Sequence, residues 1–328
     1  MRNNSYKILY CGVFNPLMIH QASPISNDDV ICRGLKANGC EIIKFDYRQE
    51  AREYGIENMR KTFYSKAIIE SPDIIWFGKT DLIGVELLLN LKSIIPNTKF
   101  VDWADDIRPE PVESLIEFNK HTDLLIADFS GDWLKKHKEL GVNRICNFFT
   151  ILDTENYYKT IVDNSWWEDV LFTGKVAPFS DDIRKETQRI LKLAGYKIYD
   201  EKNWIDYPDY LFVINGAKIG VGVNSLNHTE LYTSDRLAHF MGCGTFYMTY
   251  RIKGLEKIFS DDEIVQFDSI KDLEEKIFYY LKNDKERGRI AKNGQKKIIE
   301  LLNHKRVTKD WLNIIYNNKS EYNWVEIL

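Results

Sequence analysis

Short apolar runs alternate with amphipathic stretches along the chain, and this alternation limits its fold more than any other feature. The first run, Tyr6 to Cys11, is continuous and apolar, as is typical of a strand buried on both faces of a parallel sheet. Similar runs follow at 40–45, 74–77, 99–103, 124–127 and 144–148. Helical patterns fill the intervals, for example at 84–93 and 131–140. The repeated β-α-β order predicts a doubly wound parallel sheet.

A second alternation begins after the polar, aromatic segment 151–168, which has no clear period and which we interpret as a connection. Its predicted strands are 169–173, 197–199, 218–223, the β-branched and aromatic run that follows Gly244, and 264–267. Its predicted helices are 181–194, 208–217, 270–283 and 284–302. We therefore predict an α/β chain with two Rossmann-like doubly wound domains that face a central cleft. The predicted domains are 1–152 and 166–306, and the C-terminal segment 307–328 is expected to pack back on the first domain.

Bulk properties agree with this expectation and exclude several classes of protein. A chain of 328 residues exceeds the usual size of one hydrophobic core, so two domains are expected. The net charge of -4 creates no general field for binding polyanions. No run has signal-peptide form or the length of a membrane-spanning helix. The five cysteines are scattered without any C-x-x-C pair, which argues against zinc and disulfide frameworks and favours a cytoplasmic protein.

The most informative stretch is Asn224 to Tyr250, which follows the predicted strand 218–223. A polar loop leads into an amphipathic helix that is expected to begin near Thr233 and Ser234 and to end at 242–244. In a parallel sheet, this order places a polar loop and a helix N-terminus at the carboxyl edge of the strands. Free N–H groups at such a terminus favour an anion. The stretch therefore predicts a site for an anionic ligand such as a nucleotide diphosphate.

The same stretch resembles a known family. The run from Tyr232 to Gly244, YTSDRLAHFMGCG, is similar to a motif of group 1 glycosyltransferases of the GT-B fold, and the helix and loop at 268–294 are similar as well. The resemblance is specific over 218–297 and follows the whole chain in outline, including KILYCG at the N-terminus. Among these enzymes, the chain looks most like the bacterial and phage branch related to spore-maturation proteins.

The resemblance implies a nucleotide-sugar donor, UDP-linked, in the C-terminal domain. Lys175 and Arg236 would hold the diphosphate, and two aromatic side chains would stack on the nucleotide base. The plainer interpretations are that Arg236 is a surface arginine, that Lys175 is a solvated lysine in a turn, and that the aromatic side chains belong to the core. The candidate donor-binding residues are Gly12, Gly174, Lys175, Asn224, Glu230, Tyr232, Thr233, Ser234, Arg236 and His239, and the candidate stacking residues are Trp204 and Tyr207.

One position departs from the family pattern. His239 stands where the family has the glutamate that contacts the donor ribose. A carboxylate accepts two hydrogen bonds from ribose hydroxyls, whereas a neutral imidazole accepts one and donates one. Glu230 is a candidate for the missing carboxylate.

Two residues of the N-terminal half are candidates for the base that deprotonates the acceptor. His20 lies in the loop after the first strand, and imidazole has a suitable pKa. Asp106 belongs to an acidic cluster with Asp102 and Asp105 after the strand 99–103, where burial would raise the pKa of one carboxyl. The three aspartates could equally cap the segment that follows or form ion pairs with Arg108. We expect neither a cofactor nor a metal ion.

The expected activity is metal-independent transfer of a hexosyl or pentosyl group to an acceptor hydroxyl. Segment 44–66 interleaves basic and aromatic residues. This pattern suits the binding of a glycan or polyanionic acceptor, and it is also found on a solvated helix face. The acceptor is therefore expected to be a glycan or a hydroxymethylated base of phage DNA, a DNA modification. A nucleotide-sugar epimerase of the same fold and a non-catalytic scaffold stay open as alternatives. The sequence predicts no oligomeric state.

Overall fold

The computed structural model describes residues 5–14, 26–78, 81–104, 107–200 and 202–328. The chain divides into two compact units. Unit 1 comprises 1–148 together with 304–328, and unit 2 comprises 149–303.

Unit 1 contains a parallel sheet in which the described strands lie in the order β2-β1-β3-β4-β5-β6. The strands are β1 (Lys7–Gly12), β2 (Glu41–Asp46), β3 (Ile74–Gly78), β4 (Lys99–Ala104), β5 (Leu124–Ala127) and β6 (Ile145–Asn147). The central strands are almost wholly buried, because helices cover both faces of such a sheet. This burial explains why their sequences are continuous apolar runs rather than alternating ones.

The helices of unit 1 connect these strands. They are α1 (Asn27–Ala37), α2 (Tyr47–Tyr54), α3 (Ile56–Glu70), α4 (Val85–Ile94), α5 (Glu113–Asn119) and α6 (Asp132–Glu139). Ser26 caps α1, as its Oγ accepts from the backbone N–H of Asp29 at 3.0 Å. Phe45, Phe63, Phe77 and Phe118 form much of one aromatic core on the sheet.

Unit 2 has its own parallel sheet, with the described strands in the order β11-β10-β9-β7-β8. The strands are β7 (Glu168–Thr173), β8 (Lys197–Tyr199), β9 (Ala217–Gly222), β10 (Phe246–Tyr250) and β11 (Val265–Phe267). The helices are α7 (Asp182–Leu193), α8 (Asp209–Gly216), α9 (Arg236–Gly242), α10 (Ile270–Lys282) and α11 (Asp284–Leu302). The alternation of strands and helices predicted from the sequence is confirmed in both units.

The C-terminal segment completes unit 1. Its helix α12 (His304–Asn317) packs on α1, where Asn38 Nδ2 donates to the carbonyl of Lys305 at 2.7 Å. The contact is close, because a Cβ at Gly34 would lie 2.4 Å from the carbonyl oxygen of His304. Beyond α12, Ile327 forms an antiparallel bridge with Cys146 of β6. The last residues therefore extend the pairing of β6.

The start of α9 differs from the prediction. The helix begins at Arg236, after Asp235, whereas the sequence predicted a start near Thr233 and Ser234. Asn224 explains the shift, because its Oδ1 accepts from the backbone N–H of Ser234 at 3.2 Å and its Nδ2 donates to the carbonyl of Tyr232 at 2.8 Å. These bonds hold the preceding residues in a loop, so α9 has only seven residues.

Among the described residues, no helix is both long and apolar enough to cross a membrane.

Candidate functional site

Two arginine side chains meet at the carboxyl edge of the unit 2 sheet. Arg236 is the first residue of α9, and Arg184 lies in the first turn of α7. A Cβ added at Gly174 would lie 2.6 Å from Nη1 of Arg236 and 3.2 Å from Nη2 of Arg184, so these nitrogens are at most 5.8 Å apart. Gly174 has a φ of 101° and directly follows β7. A glycine is needed there for its backbone conformation and for the space that the guanidinium groups occupy.

Arg184 is the more buried of the pair, with 2% of its surface exposed. Its Nη2 donates to the carbonyl of Lys175 at 2.8 Å, and its Nη1 donates to the carbonyl of Val223. Burial, followed by the nearby charge of Arg236, lowers the pKa of Arg184 to about 9. The side chain is thus held in place by backbone oxygens.

Arg236 is held by the carbonyl of Val223 and by Tyr247. Its Nη2 donates to the carbonyl of Val223 at 3.3 Å, and its Nε is buried without a hydrogen-bond partner in the part of the chain that the structure describes. The Oγ of Ser234 is also buried and has no hydrogen-bond partner among the described residues. Within the described ranges, no carboxylate forms an ion pair with either Arg184 or Arg236. Buried charges ordinarily require a partner, so this edge of the sheet favours an anionic ligand.

The structure brings several of the predicted donor residues together. Gly174 and Arg236 are in direct proximity, and Asn224 shapes the loop through Tyr232 and Ser234. Thr233 is buried within this loop. Lys175 is exposed and contributes its carbonyl oxygen to Arg184, and no contact of its amine places it at the arginine pair.

His239 lies in an aromatic stack on the next turn of α9. Its ring stacks on Tyr157 with centroids 3.7 Å apart, and Tyr210 meets its edge at 5.7 Å. Burial lowers the pKa of His239 to about 4, so the ring is neutral at pH 7. Glu230 does not join it in the observed contacts: its carboxylate binds Lys257 at 2.6 Å and Lys253 at 3.5 Å.

The other sequence candidates lie elsewhere. Trp204 is 60% exposed and its Nε1 donates to Asp206 at 2.8 Å, while Tyr207 is half-buried, and neither has a contact that identifies a base site. Gly12 lies in unit 1, where an added Cβ would be 2.8 Å from the carboxylate of Asp28. His20 and Asp106 lie outside the described residues. No group of three or more potential metal ligands occurs in the described ranges.

Arg184 is the residue that the sequence analysis missed. A signal for it was present, because Arg184, Thr187 and Leu191 lie on one face of α7 at helical spacing and all three are buried. An arginine on the buried stripe of an amphipathic helix requires a partner, unlike the neighbouring Lys185 and Arg189, which form surface ion pairs.

Comparisons with known proteins concern the family and the fold of the chain. Residues 177–313 match the family model described as glycosyl transferase-like, a range that includes α7 and α9. No curated protein sequence matches the chain.

Several solved structures share the fold over nearly the full length. Sucrose-phosphate synthase from Thermosynechococcus elongatus has a TM-score of 0.63 at 10% identity, covering 95% of this chain and 98% of that one. Anabaena Alr3699/HepE, solved in complex with UDP-glucose, has a TM-score of 0.60 at 12% identity, with coverages of 94% and 99%.

AviGT4, a glycosyltransferase of avilamycin A biosynthesis, has a TM-score of 0.61 at 11% identity, with coverages of 94% and 97%. At these identities the likeness shows the fold alone. The chain has the GT-B fold of glycosyltransferases, which confirms the predicted fold class and, with the family model, the resemblance on which it was based. Assignment to the spore-maturation-like branch stays a prediction.

Proposed function

We propose that this GT-B-fold chain is a glycosyltransferase that moves a sugar from a nucleotide sugar, UDP-linked, to an acceptor hydroxyl. The observation that carries the proposal is the buried pair Arg184 and Arg236 around Gly174, which has backbone carbonyls for partners and no ion-paired carboxylate among the described residues. A nucleoside diphosphate carries the charge that this pair lacks. Anabaena HepE was solved with UDP-glucose, and this fold relative supports the choice of UDP.

The arginine pair would serve both binding and chemistry. When the bond between the anomeric carbon and the diphosphate breaks, negative charge grows on the departing phosphate oxygen. Donors that are already positioned near a developing charge stabilise the transition state without further reorganisation. Arg184 is fixed by two carbonyls and is suited to this role, while the Nε of Arg236, which has no hydrogen-bond partner among the described residues, could make a second contact. The two guanidinium groups thereby supply the positive charge that a divalent ion supplies elsewhere, so we propose that transfer is metal-independent.

The remaining parts of the proposal concern the donor and acceptor. We propose a hexosyl or pentosyl donor sugar and, for the acceptor, either a glycan or a hydroxymethylated DNA base. His20 and Asp106 stay candidates for the acceptor base, although both lie outside the described residues. Neutral His239, stacked on Tyr157, is proposed to meet the donor ribose with one hydrogen bond through Nε2, because its Nδ1 pairs with the hydroxyl of Tyr210 at 3.5 Å.

The decisive experiment measures UDP binding by calorimetry and by thermal unfolding. A ligand present at 100 times its Kd stabilises the folded protein by about 2.7 kcal/mol, so saturating UDP should raise the Tm by several degrees. Arg236→Ala should weaken UDP binding at least about tenfold, since one contact between charged groups is lost. Arg189→Ala is the matched control, because Arg189 lies on α7 in an exposed pair with Glu186. If no nucleoside diphosphate shifts the Tm of the wild-type protein, the proposed site is wrong.

A further inference from the structure

Tyr247, the second residue of β10, places its hydroxyl group beside the arginine pair of unit 2. The residue is buried, with 4% of its surface exposed. A Cβ added at Gly222 would lie 1.8 Å from the hydroxyl oxygen, so the phenol occupies the space that a side chain at Gly222 would fill. Gly222 directly precedes Val223. The carbonyl of Val223 accepts from Nη1 of Arg184 and from Nη2 of Arg236. The hydroxyl therefore lies next to the backbone on which both guanidinium groups converge.

The sequence of β9 leaves room for this phenol on one face of the sheet. Val221 belongs to the hydrophobic cluster on the other face. Because successive residues of a strand face opposite sides, Gly220 and Gly222 both face the side of Tyr247. A Cβ at Gly220 would lie 2.2 Å from the ring of Phe240, and that ring lies 5.5 Å from the ring of Tyr247. The two glycines and Phe240 thus fix the orientation of the phenol.

The charged neighbours of the hydroxyl group are the two arginines. It forms a hydrogen bond with the guanidinium group of Arg236. Burial raises the pKa of the Tyr247 phenol, and the charges of Arg236 and Arg184 offset only part of this rise. The hydroxyl therefore keeps its proton at pH 7, and its oxygen accepts from Arg236. A phenylalanine would fill the same volume with no hydroxyl to remove from water, so the hydroxyl indicates a role at the arginine pair.

Arg236 needs such a partner to keep its orientation. It is the first residue of the short helix α9, and its contact with the carbonyl of Val223 is 3.3 Å long. The nearby charge of Arg184 repels it. The hydrogen bond to Tyr247 opposes this repulsion and leaves the Nε of Arg236, which has no partner among the described residues, available to a ligand.

We propose that Tyr247 is a positioning residue whose hydroxyl holds the guanidinium group of Arg236 beside Arg184, in the orientation that binds the diphosphate of the nucleotide sugar. This inference rests on the proposed function and adds to its site a residue of β10. A positioning residue acts through the residue that it orients. Loss of the Tyr247 hydroxyl should therefore weaken diphosphate binding only while Arg236 is present.

The test is a double-mutant cycle on the full-length protein, with the Kd for UDP measured by calorimetry. Tyr247→Phe should raise the Kd about three- to tenfold, because Arg236 keeps its charge and loses one hydrogen bond that orients it. Arg236→Ala should raise the Kd at least about tenfold. Adding Tyr247→Phe to Arg236→Ala should change the Kd by less than about twofold, because the residue that Tyr247 orients is then absent.

A second variant displaces the hydroxyl without removing it. In Gly222→Ala the new Cβ would lie 1.8 Å from the hydroxyl oxygen and 2.6 Å from Cζ, so the phenol of Tyr247 must move. This variant should also raise the Kd about three- to tenfold, and it tests the inference even if Tyr247→Phe folds poorly.

Tyr250→Phe is the matched control. Tyr250 ends the same strand, packs against the hydrophobic cluster on the opposite face, and has its ring 5.7 Å from that of Phe267. The variant should keep the wild-type Kd. Thermal unfolding of each unliganded variant records any general loss of stability, and such a loss would weaken UDP binding equally with and without Arg236.

The outcomes separate the two proposals. If UDP neither binds to the wild-type protein nor raises its Tm, the proposed function is contradicted. If the wild-type protein binds UDP, three results overturn the role of Tyr247 alone. These are an unchanged Kd in Tyr247→Phe and Gly222→Ala, an equal loss of affinity with and without Arg236, and an equal loss in Tyr250→Phe. A loss confined to the proteins that retain Arg236 supports the positioning role.

Discussion

Replacing Gly174 by alanine would test the arginine pair without removing either charge. The new Cβ would lie 2.6 Å from Nη1 of Arg236, so that guanidinium group must move away from its position beside Arg184. At a separation of at most 5.8 Å, two unit charges repel by about 3 kcal/mol at an effective dielectric constant of about 20. The fold tolerates this repulsion in the unliganded protein, and a bound diphosphate would convert it into attraction by both groups.

The expected loss of affinity follows from the contact that Arg236 can no longer make. A hydrogen bond between charged groups contributes about 1.5 to 3 kcal/mol, so the Kd for UDP should rise between about tenfold and 150-fold in Gly174→Ala. Calorimetric titration with UDP measures this change directly.

Backbone strain requires a matched control, because Gly174 has a φ of 101°. Gly195 has a φ of 76°, belongs to the same unit, and has no atom within 4 Å of an added Cβ. Both alanine variants should lose roughly 1 to 3 kcal/mol of stability, which lowers the Tm, while Gly195→Ala should keep the wild-type Kd. Equal Kd values for UDP in the two variants would refute the assignment of the arginine pair to the diphosphate.

Three further predictions follow from the described contacts. Arg236→Ala should leave the Tm of the unliganded protein unchanged or higher, since it removes repulsion from Arg184; a Tm lowered by several degrees in thermal unfolding would contradict this. His239→Gln should flatten the pH dependence of the unfolding free energy below pH 6.5. The pKa of His239 in the folded protein, about 4, lies under the usual value of 6.5, so burying the neutral ring contributes stability above pH 6.5. As the pH falls from 6.5 towards 4, up to about 3 kcal/mol of this stability is lost. Chemical denaturation at pH 4.5 and pH 7 measures how much the unfolding free energy changes between the two pH values. An equal change in the wild-type protein and in the variant would disprove the prediction. Thiol reagents should modify none of the cysteines in the native protein and all five after unfolding, because every cysteine is buried and burial raises the pKa of each thiol. Rapid labelling of the native protein would argue against this burial. The residues are Cys11, Cys32, Cys40, Cys146 and Cys243.

The fold was predictable because its signals are local. The central buried strands, such as β1 and β3, are continuous apolar runs, and some helices begin at a capping side chain, as Ser26 illustrates for α1. The start of α9 was harder to predict, because it depends on where the side chain of Asn224 binds the loop. Such a side-chain contact leaves no periodic pattern in the sequence.

The candidate site was predictable only in part. Arg236 stands in a motif and could be identified, whereas Arg184 comes from a different helix and reaches the same point only through the tertiary fold. Asp102 presents a similar limit. The sequence shows an acidic cluster, but burial decides which carboxyl of a cluster has a raised pKa, and burial is a property of the packed sheet.

The bridge between Cys146 and Ile327 has a consequence for synthesis on the ribosome. Residues 304–328 belong to unit 1, so this unit cannot complete its structure until the whole of unit 2 has been translated. Translation of the 180 residues from 149 to 328 takes roughly 9 to 36 s at 5–20 residues per second. During that interval β6 lacks its later partner and presents an open edge, which is where a nascent chain is prone to pair wrongly. Unit 2 is continuous in sequence and can therefore fold first, although it is made second.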